Sequence, residues 1–270
     1  MKIAFLGTGA SEGIPSMHCK CEVCENARKI GGKEIRSRMS VLIDDTLMID
    51  CPPEAYINAI RYKIDYANIK NLLITHSHWD HCCTDDIVPK VFRPNGEEFK
   101  TFHVYGNDTV VQRINELPHV NDLVQTHELH YKSVVNIKEY LVTPFRATHM
   151  FGERCMVFLV ERDGKRYLHL SDTGLLIEEI FEWLSARKIV IDAAAIDTTY
   201  GFIKNEYIGH MNFKQSVETC EKFRKLGIFN ENTQVYMTHI CHWGGTHEAL
   251  SKKAAEYGIN VAYDGLTIEI

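Results

Sequence analysis

The chain has 270 residues, 45% of them hydrophobic, and a formal charge of −6 at pH 7. That length can bury one large core or two small ones, and the negative charge removes any bulk attraction to nucleic acid or an anionic membrane. No apolar run reaches the length of a membrane span, and the nine cysteines, an odd number without an export signal, read as cytoplasmic thiols or metal ligands instead of a disulfide framework.

The chain opens on a strand, Ile3–Leu6, running straight into Gly7-Thr8-Gly9 with no signal-peptide core before it. Strands are then expected at 40–43, 47–49, 72–74, 102–105, 140–143, 156–161, 167–170, 189–192, 234–237 and 260–262. Helices are expected between and after them. One covers 53–62, opened by proline at a favourable first position. Others cover 109–116 and 176–187. The clearest is 212–226, where Asn212 can cap and Phe213, Val217, Cys220, Phe223 and Leu226 recur at helical spacing before Gly227. A last helix, 247–257, ends at Gly258. Many strands with helices among them predict layered sheets covered by helices. No linker or repeat interrupts the pattern, so residues 1–270 read as a single domain.

The densest chemical signal is His76-Ser77-His78-Trp79-Asp80-His81. No regular helix or strand places all four ligand-type side chains on one face. The apolar run before it reads as a buried strand, so the ligands lie on the loop at its end. His76 and His78 can converge on one ion while Asp80 and His81 turn toward a second. Imidazole and carboxylate donors suit zinc, manganese or iron. A two-metal site needs more ligands, and His149, Asp172 and His239 each follow an expected strand, as His76 does.

In this order the residues resemble the metallo-β-lactamase superfamily of hydrolases, over essentially the whole chain. The resemblance implies an α+β fold, a four-layer αββα sandwich with two divalent metals on one edge of the paired sheets. It implies that His76, His78 and His149 hold one metal, that Asp80, His81 and His239 hold the other, and that Asp172 bridges them. Asp50 would brace the metal loop. An aspartate at position 172, where lactamases carry cysteine, favours the phosphodiesterase-like branches.

A second cluster, Cys19-Lys20-Cys21-Glu22-Val23-Cys24, brings three thiols within six residues. Thiolates at this spacing favour a closed tetrahedral zinc site, whose fourth ligand comes from His18 or from elsewhere. The same spacing occurs in the cyclic-phosphate phosphodiesterases of bacterial phosphonate degradation, the branch that this chain resembles most. There the fourth ligand is the second histidine of a Thr-His-x-x-His motif, which here is His242. That branch also has a histidine that reaches the substrate phosphate, at the position of His210, just ahead of the capped helix. A helix N-terminus is itself favourable to an anion.

The expectation is therefore a metal-dependent hydrolase of small cyclic or linear phosphodiesters, with two active-site metals (manganese, zinc or iron) and one structural zinc. A hydroxide shared by the two metals would attack. Asp80 would orient it or take its proton, and His210 would stabilise the phosphate or protonate the leaving oxygen. Two alternatives stand beside this reading. One is an RNA-processing nuclease, against which the negative charge and the lack of a long basic insertion argue. The other is a non-hydrolytic metal-binding member in cofactor biosynthesis. The expected partner is a small substrate, without membrane or nucleic acid; a homodimer is left open.

Overall fold

The computed structural model of the chain describes residues 1–84, 101–117, 124–204 and 207–270. Fourteen strands among these residues form two seven-stranded sheets. The first has the order β14-β1-β2-β3-β4-β5-β6, from β1 (Lys2–Gly7), β2 (Ser40–Ile43), β3 (Leu47–Ile49), β4 (Asn71–Leu73), β5 (Phe102–Gly106), β6 (Val124–Glu128) and β14 (Leu266–Glu269). The second has the order β13-β12-β11-β10-β9-β8-β7, from β7 (Val135–Ile137), β8 (Tyr140–Arg146), β9 (Met156–Arg162), β10 (Lys165–Leu170), β11 (Ala193–Asp197), β12 (Gln234–Thr238) and β13 (Asn260–Val261).

The period-two alternation of side chains separates three cores. Val41, Ile43, Phe158, Val160 and Tyr167 pack between the sheets. Their neighbours point the other way. Leu42, Met48 and Leu72 pack with Ala55 of α2 (Ala55–Tyr62) and with Val110 and Ile114 of α3 (Asp108–Asn115). Val157, Leu159, Leu168 and Leu170 pack under α4 (Glu178–Ala186), α5 (Phe213–Lys225) and α6 (His247–Ala255). Helices thus cover the outer face of each sheet, which is the expected αββα sandwich. Tyr140, Tyr167 and Phe158 are almost wholly buried, and each such side chain stabilises the fold by roughly 1.5–3 kcal/mol.

Strand direction positions the site. β3, β4, β5 and β6 run parallel, as do β10, β11, β12 and β13. β8 is antiparallel to β9, and β9 to β10, so β8 shares the direction of β10. The C-terminal ends of β3, β4, β8, β10, β11 and β12 therefore gather on one rim, where loops from distant parts of the chain meet.

The structure departs from the sequence expectation in identifiable places. The expected strand 189–192 is approach chain: Ile189 N–H is tied to Leu184 O and Ile191 N–H to Ile228 O. The strand begins at Ala193, whose small neighbours Ala194 and Ala195 carry little β preference but fit between packed layers. Strands β6, β7 and β14 and the helix α1 (Glu22–Ile30) were not expected. β6, β7 and β14 lie at sheet edges with mostly exposed or half-buried residues, so they lack a strong apolar pattern. In α1 only Cys24 and Ala27 are buried.

Candidate metal centre

Each rim residue stands just beyond a strand. Asp50 follows β3, and the 76–81 loop follows β4. His149 follows β8, Asp172 follows β10, and His239 follows β12. Asp50, Asp172 and His239 all have left-handed backbone, with φ of 59°, 53° and 57°. That region is disfavoured for side-chain-bearing residues; here the chain turns sharply at the strand end and aims each side chain back over the rim.

The donors converge as two sets joined by one carboxylate. His76 Nε2 is 2.8 Å from His78 Nδ1, which is 3.2 Å from His149 Nε2. His81 Nε2 is 3.4 Å from Asp80 Oδ2. Asp172 lies between the sets. Its Oδ1 is 3.6 Å from His149 Nε2, and its Oδ2 is 2.7 Å from His81 Nε2 and 2.9 Å from His239 Nε2. Among the described residues, His81 Nε2, Asp172 Oδ2 and His239 Nε2 are buried without a well-aligned hydrogen bond. Atoms this close but misaligned suit lone pairs directed at a shared cation. The all-nitrogen and oxygen donor set, in groups that could each hold one ion, fits divalent transition metals.

The far sides of the His76, His81, His149 and His239 rings are fixed by partners. Asp50 Oδ2 is 2.7 Å from His81 Nδ1, and Asp50 also accepts from the backbone N–H and hydroxyl of Thr75. The Thr75 hydroxyl is 2.9 Å from His76 Nδ1. His149 Nδ1 reaches Gly209 O at 3.1 Å. Thr199 Oγ1 is 2.8 Å from His239 Nδ1 and donates to Asp197. Such partners fix ring orientation and the nitrogen offered to a metal. Electrostatics agree with an ionised bridge. Burial opposes charge on Asp172, but His239 and His81 outweigh it and hold this carboxyl well below the usual carboxylate range. Burial likewise opposes charge on His81, yet Asp172, Asp50 and Asp80 together raise it well above the ordinary histidine value.

Two residues at the rim carried no recognisable sequence signal. Asp197 ends β11, fully buried, and its Oδ2 is 3.0 Å from His210 Nδ1. It was missed because the strand that delivers it was misplaced. Glu153 accepts from the backbone and hydroxyl of Ser77 at 2.8 and 2.6 Å and from Asn107 Nδ2 at 2.8 Å, so it anchors the 76–81 loop. His210 stacks on His239 with ring centroids 5.3 Å apart. With His78, Asp80 and His149 it lines a cleft of about 190 Å³, which also has a wall of Ser11, Glu12, Tyr200 and Trp243.

The thiols form a separate cluster. His242 Nδ1 is 3.2 Å from Cys19 Sγ, 3.4 Å from Cys21 Sγ and 3.6 Å from Cys24 Sγ. His18, the other candidate, is exposed and outside the cluster. The Cys21 N–H donates to Cys19 Sγ at 3.4 Å and holds that thiol below its ordinary value. Ser16 N–H donates to Cys24 Sγ at 3.2 Å. Cys82 packs in the core beneath α2, and burial pushes its thiol up to about 12.

Residues 46–240 match the beta-lactamase superfamily domain. The chain belongs to the metallo-β-lactamase superfamily. The octanoyltransferase of Porphyromonas gingivalis is 23% identical to it over 98% of this chain. The chain spans about half of that relative, 51% of its length. Among solved structures, a diphosphatase of the PhnP family is 24% identical, with a TM-score of 0.77 over 100% of this chain and 97% of the other. Zinc-bound PqqB from Methylobacterium extorquens is 18% identical, with a TM-score of 0.78 over the whole of both chains. The short form of human tRNase Z is 17% identical, with a TM-score of 0.66 over 100% of this chain and 99% of that one. These superfamily structures share the fold described above.

Proposed function

We propose that this metallo-β-lactamase superfamily protein hydrolyses small phosphodiesters. The observation that carries the reading is Asp172, whose two oxygens face two separate histidine sets at one rim. His76, His78 and His149 would hold one divalent ion, Asp80, His81 and His239 a second, and Asp172 both. Paired divalent ions supply an activated water and neutralise charge on a phosphate. The chain's own residues do the rest. Asp80, at the cleft surface, orients the attacking water and can accept its proton. Asp197 holds Nδ1 of His210, turning the ring so that it can bind the phosphate or give a proton to the leaving oxygen. The cleft of about 190 Å³ has room for a small substrate. The diphosphatase likeness supports phosphorus–oxygen chemistry in general. Cys19, Cys21, Cys24 and His242 would hold a zinc with no open position, a structural role.

The likeness to tRNase Z keeps an RNA substrate as the second reading. The acyl-transfer name of the P. gingivalis relative concerns a protein about twice as long, and its other half is free to carry that activity. The test is hydrolysis of bis(p-nitrophenyl) phosphate, cyclic and linear phosphodiesters, a precursor tRNA and an octanoyl thioester by protein reconstituted with manganese or zinc. Turnover of small phosphodiesters is expected, together with more than one bound metal per chain beyond the thiolate site. Asp172→Ala should lose both rim metals or nearly all activity, because one carboxylate serves both sets. Full activity in that variant would sink the binuclear reading.

A further inference from the structure

The cleft wall that carries no metal donors has its own chemistry. Its backbone is fixed: Ala10 N–H donates to Ile240 O at 3.0 Å, Ile240 N–H to Thr8 O at 3.0 Å, and Gly13 N–H to Ala10 O at 2.9 Å. On this loop Glu12 Oε1 accepts from the His242 backbone N–H at 3.2 Å, and Oε2 accepts from Ser11 Oγ at 3.2 Å. Oε1 also lies 3.9 Å from His242 Nε2, whereas Oε2 keeps a second lone pair for a further donor. Beside it the Trp243 side chain is 59% exposed although it lines the cleft, with its ring centroid 4.7 Å from that of His242. Tyr200 completes this wall.

We propose that Ser11, Glu12, Tyr200 and Trp243 form a leaving-group subsite in which Glu12 selects uncharged leaving groups bearing hydroxyl or amino donors and rejects those carrying a second phosphate. The inference rests on the phosphodiesterase reading of the same cleft. The histidine-rich wall, with the divalent ions that it would hold, would attract the scissile phosphate. A carboxylate on the adjoining wall can only accept hydrogen bonds, so it recognises donors. It repels a second anion placed beside it in the cleft, and specificity commonly needs such a repulsive element. The exposed indole offers an apolar face on which a sugar or a planar ring can lie. A nucleoside or polyhydroxylated leaving group meets all of these features, and a pyrophosphate does not.

The experiment compares kcat/KM of the metal-loaded wild type and Glu12→Gln on three substrates. Bis(p-nitrophenyl) phosphate has a leaving group without donors. A nucleoside 2′,3′-cyclic phosphate has an uncharged ribose with donors. A dinucleoside pyrophosphate has an anionic leaving group. The glutamine keeps an oxygen for the His242 N–H. The ratio of cyclic phosphate to bis(p-nitrophenyl) phosphate should fall about tenfold or more, because charge-assisted hydrogen bonds become neutral, and the ratio of pyrophosphate to bis(p-nitrophenyl) phosphate should rise. Ratios that stay within about twofold of wild type overturn the proposal. So does a uniform fall on all three substrates with loss of the thiolate-bound zinc, the mark of a purely structural contact with His242. If the wild type cleaves none of the three, the phosphodiesterase reading fails, and adenosine binding measured by calorimetry decides the subsite. Glu12→Gln should weaken adenosine about tenfold, and equal affinity overturns the assignment.

Discussion

The pair Asp197–His210 is where a single residue type matters most. His210 Nδ1 lies 3.0 Å from Asp197 Oδ2 and 3.8 Å from Asp172 Oδ1. Asp197 in turn accepts from Met211 N–H and Thr199 N–H, each at 3.0 Å, so its carboxylate is held before any substrate arrives. We propose that the ring serves as an acid or phosphate ligand; with Asp172, Asp197 and His239 it also forms a group that could hold an ion, so metal content decides between the two roles. His210→Ala should retain its metals and lose about 10²–10⁴-fold in turnover if it is a general acid. Asp197→Asn should lower kcat in the same direction while leaving His210 in place. Metal analysis alongside kinetics separates the cases: loss of rim metal in His210→Ala would make it a ligand, and unchanged kinetics would leave it a residue of the helix entry. His210 was visible in the sequence through the resemblance, but Asp197 was not, because an aspartate at a strand end gains meaning only when the strand register is known.

At the scale of elements, the thiolate cluster ties α1 and the loop before it to the segment after β12. One turn of chain, from His239 to Cys241 and His242, links the metal rim to that cluster, and Ile240 is also the residue on which the N-terminal loop is hydrogen bonded. Cys21→Ser should therefore lose zinc, lower Tm by about 5 °C and reduce activity indirectly through His239. Zinc should stay in the thiolate cluster when the rim metals are exchanged for manganese, since thiolates prefer zinc. Thermal melts and metal counts on the same samples check both, and an unaltered melt with the zinc gone would remove the structural role. The three cysteines were legible as a motif because their spacing is local. Which histidine faces them was not fixed by local spacing; the resemblance favoured His242, and the fold brings it within 3.6 Å of all three sulfurs.

Across the whole molecule, acid sensitivity follows from a histidine buried behind the rim. His169 on β10 is fully buried, its Nδ1 is 3.1 Å from Tyr167 Oη, and its Nε2 has no hydrogen-bond partner among the described residues. Burial, with the positive charge of His81 next, lowers its pKa to about 3 from the ordinary 6.5. The unfolded chain therefore binds a proton at higher pH than the folded one. Stability from this group is complete above about pH 6.5 and is lost as pH falls from there toward 3. His169→Gln should flatten the fall of the denaturation midpoint between pH 7 and 5, relative to wild type at the same metal loading. Equal slopes would show that the folded His169 already takes up its proton.

The sequence by itself determined the ligand chemistry and its order along the chain. His76, His78, Asp80, His81, His149, Asp172 and His239 are the residue types that hold divalent ions, and each lies near the end of an apolar run. Alternation within strands such as β2 and β9 also made the layered fold legible, because burial on two faces writes a local pattern. The tertiary structure decided what depends on register between strands far apart in sequence. It placed the two oxygens of Asp172 toward different histidine sets, delivered Asp197 from a run of alanines with no strand signature, and put Glu12 on the cleft wall. None of these could be read locally. Parallel strand order, not sequence spacing, brings those ends to a common rim, and hydrogen bonds between distant residues, such as Glu12 and His242 at 230 positions apart, then fix where side chains point.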